Sequence, residues 1–400
     1  MIKYLGSKRR LVPVLSQICA ASGARTALDL FTGTTRVAQA FKSQGVAVTA
    51  VDTARYSHVF AQCYLEADAA ATDMTALTAA IAHLNRLPGR PGYVHDTFSV
   101  EARFFQPFNA ARIDAARDVI ERDHAGSPLY PILLTSLIEA ADRVDSTTGV
   151  QMAYVKQWAP RSANPLELRV PELLPGGGRA VLGDALAVAP ALGPFDLAYL
   201  DPPYNQHRYF TNYHVWETLV AWDAPVPYGV ARKRLDARDP STRSVFNSKR
   251  TMPDALRQVV RSVDAELLVL SYNDEAWLGV QELEAMCSIQ APSSRETSGS
   301  GSSGTQRAVA TLSFDSARYV GARIGIFDPS GVKVGKVSHL SNQELLVIAG
   351  EGSMVRHVVD AVGQAGGQAG RRAGRRAGLQ LGRELDPQAQ RPVGTGGQSA

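Results

Sequence analysis

The residues best suited to chemistry are Asp201, Pro202, Pro203 and Tyr204, which directly follow the apolar run FDLAYL. A carboxylate and a backbone carbonyl that accept the two N–H bonds of an aromatic amine favour the tetrahedral, nucleophilic form of its nitrogen. Asp201 can supply the first acceptor and Pro202 the second, because proline stiffens the turn and has no N–H of its own. Tyr204 offers a flat face to a base that has left the duplex. These four residues are therefore predicted to form a catalytic turn that acts on an exocyclic amine; the alternative is a rigid turn with a packed tyrosine.

A second candidate site is the turn Asp29–Gly33, which ends a predicted strand and enters a predicted helix. Glycine at such a turn lets the backbone approach a ligand closely. Asp52 closes the next predicted strand, about twenty residues further on, where an acid can accept both hydroxyls of a ribose. Capping of the following helix is the alternative role for Asp52. The dinucleotide fingerprint GxGxxG is absent, since Thr35 stands in place of its second glycine, and this disfavours a dehydrogenase.

The elements that must position these residues alternate between strands and helices. Strands are predicted at residues 26–31, 46–51, 179–182, 195–200 and 267–271, and helices at residues 8–21, 34–44, 54–66 and 129–144. Alternation of this kind predicts an α/β fold with a Rossmann-like parallel sheet, and ligands at the carboxyl ends of its strands.

The middle of the chain interrupts this alternation. Residues 73–175 are helical and rich in arginine and aromatic residues, which indicates an insertion into one sheet domain made of residues 1–72 and 176–315. Residues 316–350 carry short β-rich runs and predict a small β-rich segment, and the Ser/Gly-rich residues 292–304 predict a mobile loop. Residues 363–400 contain an AGRRAGRRAG repeat and predict a disordered low-complexity tail.

Charge is concentrated in one stretch of the chain. The net charge is only +4, but residues 232–261 contain nine Lys or Arg against three Asp. An excess of this kind favours contacts with DNA phosphates, and a solvated surface loop is the alternative. The residues predicted to contact DNA are Arg232, Lys233, Arg234, Lys249 and Arg250.

Composition disfavours several other classes of protein. There is no run of eighteen apolar residues, which argues against a membrane span and a membrane partner. Three cysteines, Cys19, Cys63 and Cys287, form no CxxC pair, which argues against a zinc module and fits a reducing cytoplasm. The histidines show no ligand-like spacing. We therefore expect a cytoplasmic protein without a metal cofactor.

Together these motifs resemble the DNA adenine (N6) methyltransferases in which the amino-terminal cofactor motif comes first and a recognition insert precedes the tetrapeptide DPPY. The resemblance covers roughly residues 1–350 and rests on IKYLGSKRRL, LDLFTGTTRVA, LLTSLIEAADRV and the unchanged DPPY. It implies S-adenosylmethionine as the methyl donor and double-stranded DNA as the substrate. It also implies the modification role of a restriction-modification system, and a cognate restriction endonuclease is then an optional partner.

The resemblance further implies which residues hold the cofactor: Tyr4, Lys8, Asp29, Phe31, Gly33, Asp52 and Asp184. Tyr4 and Lys8 are expected to contact its methionine end, Asp52 its ribose and Asp184 its adenine. A second glycine that is common in the family's turn is Thr34 or Thr35 here.

Three other functions stay open at this point. A cytosine N4 methyltransferase uses the same catalytic logic, and a non-catalytic DNA-binding or cofactor-sensing protein could share the fold. A protein glutamine methyltransferase is disfavoured, since asparagine would usually replace Asp201. The DNA sequence that is recognised and the oligomeric state cannot be predicted from the sequence.

Overall fold

Eight strands form one sheet in the computed structural model, which describes residues 2–6, 8–155, 157–274, 276–289, 306–317, 341–373 and 378–380. Two further short strands, β5 and β6, pair as a separate hairpin. The strands in chain order are β1 Thr26–Leu30, β2 Ala47–Asp52, β3 Arg179–Leu182, β4 Phe195–Leu200, β5 Pro227–Tyr228, β6 Lys233–Arg234, β7 Ala265–Asn273, β8 Ala308–Ala317, β9 Ser341–Gly350 and β10 Gly378–Gln380.

The order of strands across the sheet is β10-β8-β9-β7-β4-β1-β2-β3. Strands β3, β2, β1, β4 and β7 are parallel neighbours, whereas β9 runs antiparallel to both β7 and β8. The predicted α/β class is thereby confirmed. Strand β1 lies between β2 and β4, and this reversal of strand order opens a crevice at the carboxyl ends of the strands, where α/β folds bind ligands.

Helices cover both faces of this sheet and form the inserted region. In chain order they are α1 Val12–Ser22, α2 Arg36–Lys42, α3 Arg55–Ala61, α4 Met74–Arg86, α5 Tyr93–His95, α6 Pro107–His124, α7 Tyr130–Val144, α8 Ala185–Val188, α9 Tyr209–Asn212, α10 His214–Ala221, α11 Met252–Ser262, α12 Val280–Cys287 and α13 Gly352–Ala373. The predicted helix at residues 8–21 is a 3₁₀ turn, Lys8–Arg10, followed by α1, and the one at residues 54–66 continues from α3 into a π-helical turn, Gln62–Glu66.

The central strands are buried along almost their whole length. In β4, five of six residues are buried, and in β7 eight of nine are buried. Helices α1, α2 and α13 pack on one face of the sheet, and α8, α11 and α12 pack on the other. Strands that are covered on both sides bury both sets of alternating side chains, which explains why these runs are continuously apolar.

Helices α4, α6 and α7 of the insertion share one apolar cluster with residues that precede and follow them. Tyr56 and Phe60 from α3 belong to this cluster, as do Val215, Trp216 and Leu219 from α10. The inserted helices are thus packed against α3, which follows β2, and α10, which follows the catalytic turn.

The carboxyl-terminal part differs from the expectation of a small separate β-rich segment at residues 316–350. Residues Ser341–Gly350 form β9, which lies in the main sheet between β7 and β8. Residues Leu345–Ala349 are all buried, and a run that is apolar on both faces needs a central position in a covered sheet. Residues 318–340, which the predicted segment also included, and the predicted mobile loop at 292–304 lie outside the described residues.

The prediction of a disordered tail from residue 363 is wrong for its first part, because α13 continues to Ala373. This helix buries Val355, Val358, Val359 and Val362 against the sheet and α1. Their spacing of i, i+3, i+4 and i+7 is that of one helix face. Residues 381–400 lie outside the described part of the chain.

Candidate active site

A cavity of about 300 Å³ lies at the carboxyl ends of β1, β2 and β4, which is at the lower end of the usual range for small-molecule sites. It brings together residues that are far apart in the sequence, because parallel strands end at the same edge of the sheet. The predicted site residues that line it are Tyr4, Lys8, Phe31, Asp52, Asp184, Asp201, Pro202, Pro203 and Tyr204.

The turn after β1 has an unusual backbone conformation. Phe31 has a φ of 72° and Thr35 a φ of 60°, although both carry side chains. Residues other than glycine rarely adopt such angles, and clusters of them mark functional sites more often than ordinary loops. Gly33 is needed for space, since a Cβ atom there would lie 3.0 Å from the Cε1 atom of Tyr4. The ring of Phe31 lines the cavity and packs edge-on against Phe246, with 5.0 Å between ring centroids.

Asp52 ends β2 and is held by two backbone groups. Its Oδ2 atom accepts the N–H of Gly33 at 2.8 Å, and its Oδ1 atom accepts the N–H of Ala54 at 2.9 Å. Burial raises the pKa of this carboxyl, and the backbone hydrogen bonds oppose the rise. The alternative role as a helix cap is not realised, since α3 has Ala54 as its N-cap without a side-chain hydrogen bond.

Asp29 differs from the expectation of a cofactor contact. Its side chain is 1% exposed and points beneath the turn, where it accepts hydrogen bonds from the Thr32 hydroxyl at 2.8 Å and the Ala38 N–H at 3.2 Å. Burial raises its pKa to about 7. Neither Asp29 nor Gly33 is among the residues that line the cavity. Both residues stabilise the turn instead. Asp29 joins it to α2 through the N–H of Ala38, and the N–H of Gly33 joins it to Asp52.

Asp184 follows β3 and lines the cavity beside Gly183 and Ala185. Its Oδ1 atom accepts the N–H of Leu186 at 2.9 Å, so it caps the short helix α8. The backbone N–H of Gly183 donates to the carbonyl of Asp52 at 2.9 Å. The two acids are thereby fixed on adjacent strand ends.

The catalytic turn leaves β4 next to the end of β1, where the N–H of Asp201 donates to the carbonyl of Leu30. The Oδ1 atom of Asp201 lies 3.0 Å from the Lys8 Nζ atom. Burial raises the pKa of Asp201 to about 6, and the charge of Lys8 limits that rise. The ring of Tyr204 packs on Tyr272 with 5.3 Å between centroids, and the Lys8 Nζ atom lies 5.6 Å from the centroid of Tyr204.

Tyr4 lines the cavity because two other tyrosines hold its ring. It stacks on Tyr209 and Tyr213, with ring centroids 5.4 Å and 4.8 Å away. Tyr209 also lines the cavity, whereas Tyr213 and Trp216 are each 1% exposed and belong to the core under the inserted helices. Tyr209 therefore faces the cavity, whereas Tyr213 and Trp216 do not.

Several cavity residues were not found by sequence reasoning. Glu217 of α10 is 2% exposed, accepts the N–H of Arg55 at 2.8 Å, and has its pKa raised to about 7 by burial. Asn247 donates to the carbonyls of Asn205 and His207, which ties its loop to the segment after the catalytic turn. No motif distinguishes these residues in the sequence, because they come from elements whose position depends on packing. The others are Leu5, Gly6, Val51, Thr53, Ala54, Arg55, Ala185, Phe210, Ser241, Thr242, Arg243, Ser244 and Phe246.

The predicted DNA-contacting residues do not form one exposed set. Arg234 is 4% exposed and is paired with Asp223 and Asp236, so its guanidinium is not available to a phosphate. Arg232 donates to Glu101. Lys233 is half-buried, and its Nζ atom lies 6.0 Å from the ring centroid of Tyr228. Lys249 and Arg250 are exposed. The grouping of all five as phosphate contacts is therefore wrong for Arg234.

The described residues contain no side-chain cluster suited to a metal ion and no helix suited to a membrane. Among them, no cluster of three or more His, Cys, Asp or Glu side chains has the geometry to hold a metal ion. None of the helices in that part of the chain is long and apolar enough to cross a membrane.

Comparison with known proteins identifies a family. The family model for the D12 class N6 adenine-specific DNA methyltransferases matches residues 4–286. Type II methyltransferase M.NlaIII of Neisseria lactamica is 29% identical over 297 residues, which are 70% of this chain and 86% of that protein. Modification methylase StsI of Streptococcus sanguinis is 29% identical over 70% of this chain, and type II methyltransferase M.FokI of Planomicrobium okeanokoites is 25% identical over 71%. The chain spans 45% and 46% of the length of these last two relatives.

Proposed function

The chain belongs to the D12 class N6 adenine-specific DNA methyltransferase family, and from this premise we propose that it methylates the N6 amine of an adenine turned out of double-stranded DNA. The observation that carries the proposal is that one cavity at the sheet edge combines two kinds of lining residues. It is lined at once by Asp52 and Asp184, which suit a nucleoside, and by the turn Asp201–Tyr204, which suits an aromatic amine.

The residues around the cavity fit S-adenosylmethionine as the methyl donor. The carboxylate of Asp52 would accept the ribose hydroxyls, Asp184 would face the adenine, and the rings of Tyr4 and Phe31 would supply apolar contacts. The acids that line the cavity also complement a positively charged ligand. When bound, S-adenosylmethionine supplies a methyl group on a cationic sulfur that already carries its own leaving group. We therefore propose transfer without a metal.

Asp201 is proposed to make the amine nucleophilic. Lys8 approaches its Oδ1 atom, so Oδ2 is the oxygen that would accept one N–H of the amine, and the carbonyl of Pro202 would accept the other. Two acceptors on one nitrogen draw it out of conjugation with the ring and aim its lone pair. The proton that the nitrogen later loses can pass to Asp201, whose pKa of about 6 allows it to be released to solvent near neutral pH.

Aromatic side chains are proposed to hold the target base. Tyr204, Tyr209 and Phe210 line the same cavity. Stacking on an aromatic ring is worth about 1–3 kcal/mol for each base, which can offset part of the cost of turning the base out of the duplex.

Contacts with the rest of the DNA are assigned to two exposed basic residues, Lys249 and Arg250, and to the half-buried Lys233. We propose that Lys233, Lys249 and Arg250 contact phosphates and that residues 73–175 take part in recognising the target sequence. Since relatives are named modification methylases, we further propose that this protein is the modification component of a restriction-modification system. Its place of action would then be the cytoplasm, with a cognate endonuclease as an optional partner.

One experiment tests the core of this proposal. The protein is incubated with DNA and S-adenosylmethionine labelled in its methyl group, and the DNA is then digested to nucleosides. Labelled N6-methyl-2′-deoxyadenosine is the expected product. Labelled N4-methyl-2′-deoxycytidine would show that the base is wrong, and DNA without any label after incubation with folded protein would overturn the assignment of activity.

A further inference from the structure

Lys8 lies between two carboxylates. Its Nζ atom is 3.0 Å from the Oδ1 atom of Asp201 and 3.1 Å from the Oε2 atom of Glu344. The side chain of Lys8 is only 6% exposed, and those of Asp201 and Glu344 are 19% and 16% exposed. Three charges are thus held together with little access to water, next to the turn that carries the proposed reaction.

Glu344 reaches this position because of the direction of its strand. It lies near the start of β9, opposite Asn273 at the end of β7. Since β9 is antiparallel to β7, its amino-terminal end lies at the edge of the sheet where the parallel strands have their carboxyl ends. Glu344 also lies outside residues 4–286, which the family model matches, so neither the family motif nor the sequence pattern assigns it a role.

The carboxylates of Asp201 and Glu344 each accept a hydrogen bond from the same ammonium group, that of Lys8. A lysine ammonium has three N–H donors, and here one approaches Asp201 while another serves Glu344. Burial alone would lower the pKa of Lys8, but the charges of Asp201 and Glu344 contribute to raising it, so the ammonium stays protonated. The three groups then carry a net charge of about −1, as two carboxylates and one ammonium.

We propose that Glu344 is a positioning residue for methyl transfer, which anchors the Lys8 ammonium beside Asp201 and keeps the catalytic turn negatively charged. This inference rests on the proposed function, because it assigns Asp201 to the target amine. Without Glu344, Lys8 and Asp201 would form a neutral pair, and Lys8 would be free to take both oxygens of Asp201. A less available carboxylate would accept the amine N–H more weakly, and the chemical step would slow.

A structural role for Glu344 predicts different behaviour. If the pair of Glu344 and Lys8 only fastens the amino-terminal segment to β9, its loss would lower the melting temperature without altering how the reaction depends on pH. If Glu344 acts through Asp201, its loss also removes a negative charge that raises the pKa of Asp201. The acidic limb of the rate profile would then move to lower pH.

The test compares Glu344→Gln, Glu344→Asp and the control Asp315→Asn in the full chain. Asp315 is an exposed acid on the neighbouring strand β8, so its replacement removes a nearby charge without touching Lys8. Melting temperature, DNA affinity, and kcat and KM for S-adenosylmethionine are measured for each protein across a range of pH. Lys8→Met and the double variant Lys8→Met/Glu344→Gln complete a double-mutant cycle, which measures how far the effects of the two residues depend on each other.

We expect Glu344→Gln to stay folded and bind DNA like the wild type, while kcat falls at least about tenfold and the acidic limb moves to lower pH. Glu344→Asp should recover part of kcat, Asp315→Asn should match the wild type, and Glu344→Gln should have little further effect once Lys8 is replaced. Unchanged kcat with an unmoved acidic limb overturns the inference, as does a loss seen only in melting temperature. Two parallel measurements separate the failures. If the wild type labels no adenine in DNA, the proposed function is wrong. If the wild type labels adenine and Asp201→Ala is inactive while Glu344→Gln is normal, only the role of Glu344 is wrong.

Discussion

The backbone N–H of Gly33 donates a 2.8 Å hydrogen bond to the Oδ2 atom of Asp52. This bond joins the turn after β1 to the end of β2, so the carboxylate proposed to bind ribose is fixed before any ligand arrives. Its second oxygen is fixed in the same way by the N–H of Ala54. A site whose acceptor is already oriented loses little conformational entropy when the ligand binds.

Replacement of Asp52 should weaken binding of S-adenosylmethionine. Asp52→Ala removes charge-assisted hydrogen bonds to the ribose, each worth about 1.5–3 kcal/mol. It also leaves the N–H groups of Gly33 and Ala54 without their acceptor, so a lower melting temperature is expected as well. Asp52→Asn should be milder because its amide oxygen can still accept one of these bonds. Isothermal calorimetry on folded protein measures the affinity, and an unchanged Kd in Asp52→Ala would contradict the ribose assignment.

Replacement of Asp201 should remove activity while leaving the fold and DNA binding intact. The interaction of Asp201 with the amine strengthens as the nitrogen becomes tetrahedral, so its loss should appear in kcat, by at least about 100-fold. Tyr204→Ala should also slow transfer severely, whereas Tyr204→Phe keeps the ring face and should be milder. Single-turnover rates with labelled donor measure both effects. Substantial turnover by folded Asp201→Ala protein would refute the mechanism.

The rate of methyl transfer should depend on pH through Asp201. Burial raises the pKa of this carboxyl to about 6, and its ionised form accepts the amine N–H much more strongly than the neutral acid does. The value of kcat/KM should therefore be level at neutral pH and fall as the pH decreases through about 6, by roughly tenfold for each further unit. DNA binding is measured separately over the same range. A rate that is constant down to about pH 5 in folded protein would show that Asp201 does not have to be ionised.

The basic stretch at residues 232–261 should contain some residues that contact DNA and others that stabilise the fold. Lys249→Ala/Arg250→Ala should lower DNA affinity and reduce the slope of log Kd against log salt by roughly 2, one for each lost phosphate contact. Arg234→Ala should instead lower the free energy of unfolding by at least about 1 kcal/mol, since it breaks pairs with Asp223 and Asp236. Salt titrations and thermal unfolding of both proteins separate these effects. If the salt slope of Lys249→Ala/Arg250→Ala equals that of the wild type, Lys249 and Arg250 are solvated surface charges that do not contact DNA.

The helix α13 should be needed for stability, whereas the chain beyond its buried face should not. A chain that ends at Gln364 keeps Val355, Val358, Val359 and Val362 and should retain its melting temperature and activity in vitro. A chain that ends at Gly350 loses all four valines, each worth about 1.5–3 kcal/mol when fully buried, and uncovers one face of β9. Thermal unfolding of the two truncated proteins checks this. Equal melting temperatures would show that α13 adds nothing to the core.

The local features of this protein follow from its sequence. The turn Asp201–Tyr204 and the turn Asp29–Gly33 each follow a short apolar run, and such runs form buried strands because both of their faces must be covered. Two prolines limit the backbone at one turn, and a glycine permits a positive φ at the other. The α/β class and all five parallel strands, β1, β2, β3, β4 and β7, could be predicted on this basis, since they depend on residues that are close in the chain.

Contacts between distant segments were decided only by the tertiary structure. Lys8 and Glu344 are 336 positions apart, and nothing near either residue indicates that β9 enters the sheet in the antiparallel direction and brings them together. The same limit applies to Arg234, which looks like a free cation in a basic stretch but is buried against acids in the fold. Asp29 looks like a ligand-binding acid, yet it turns beneath its own loop. Local sequence determines which residues carry charge, which form turns and which are apolar enough to be buried. Which of these residues contact one another depends on the order of the strands in the sheet and on the faces that the helices cover.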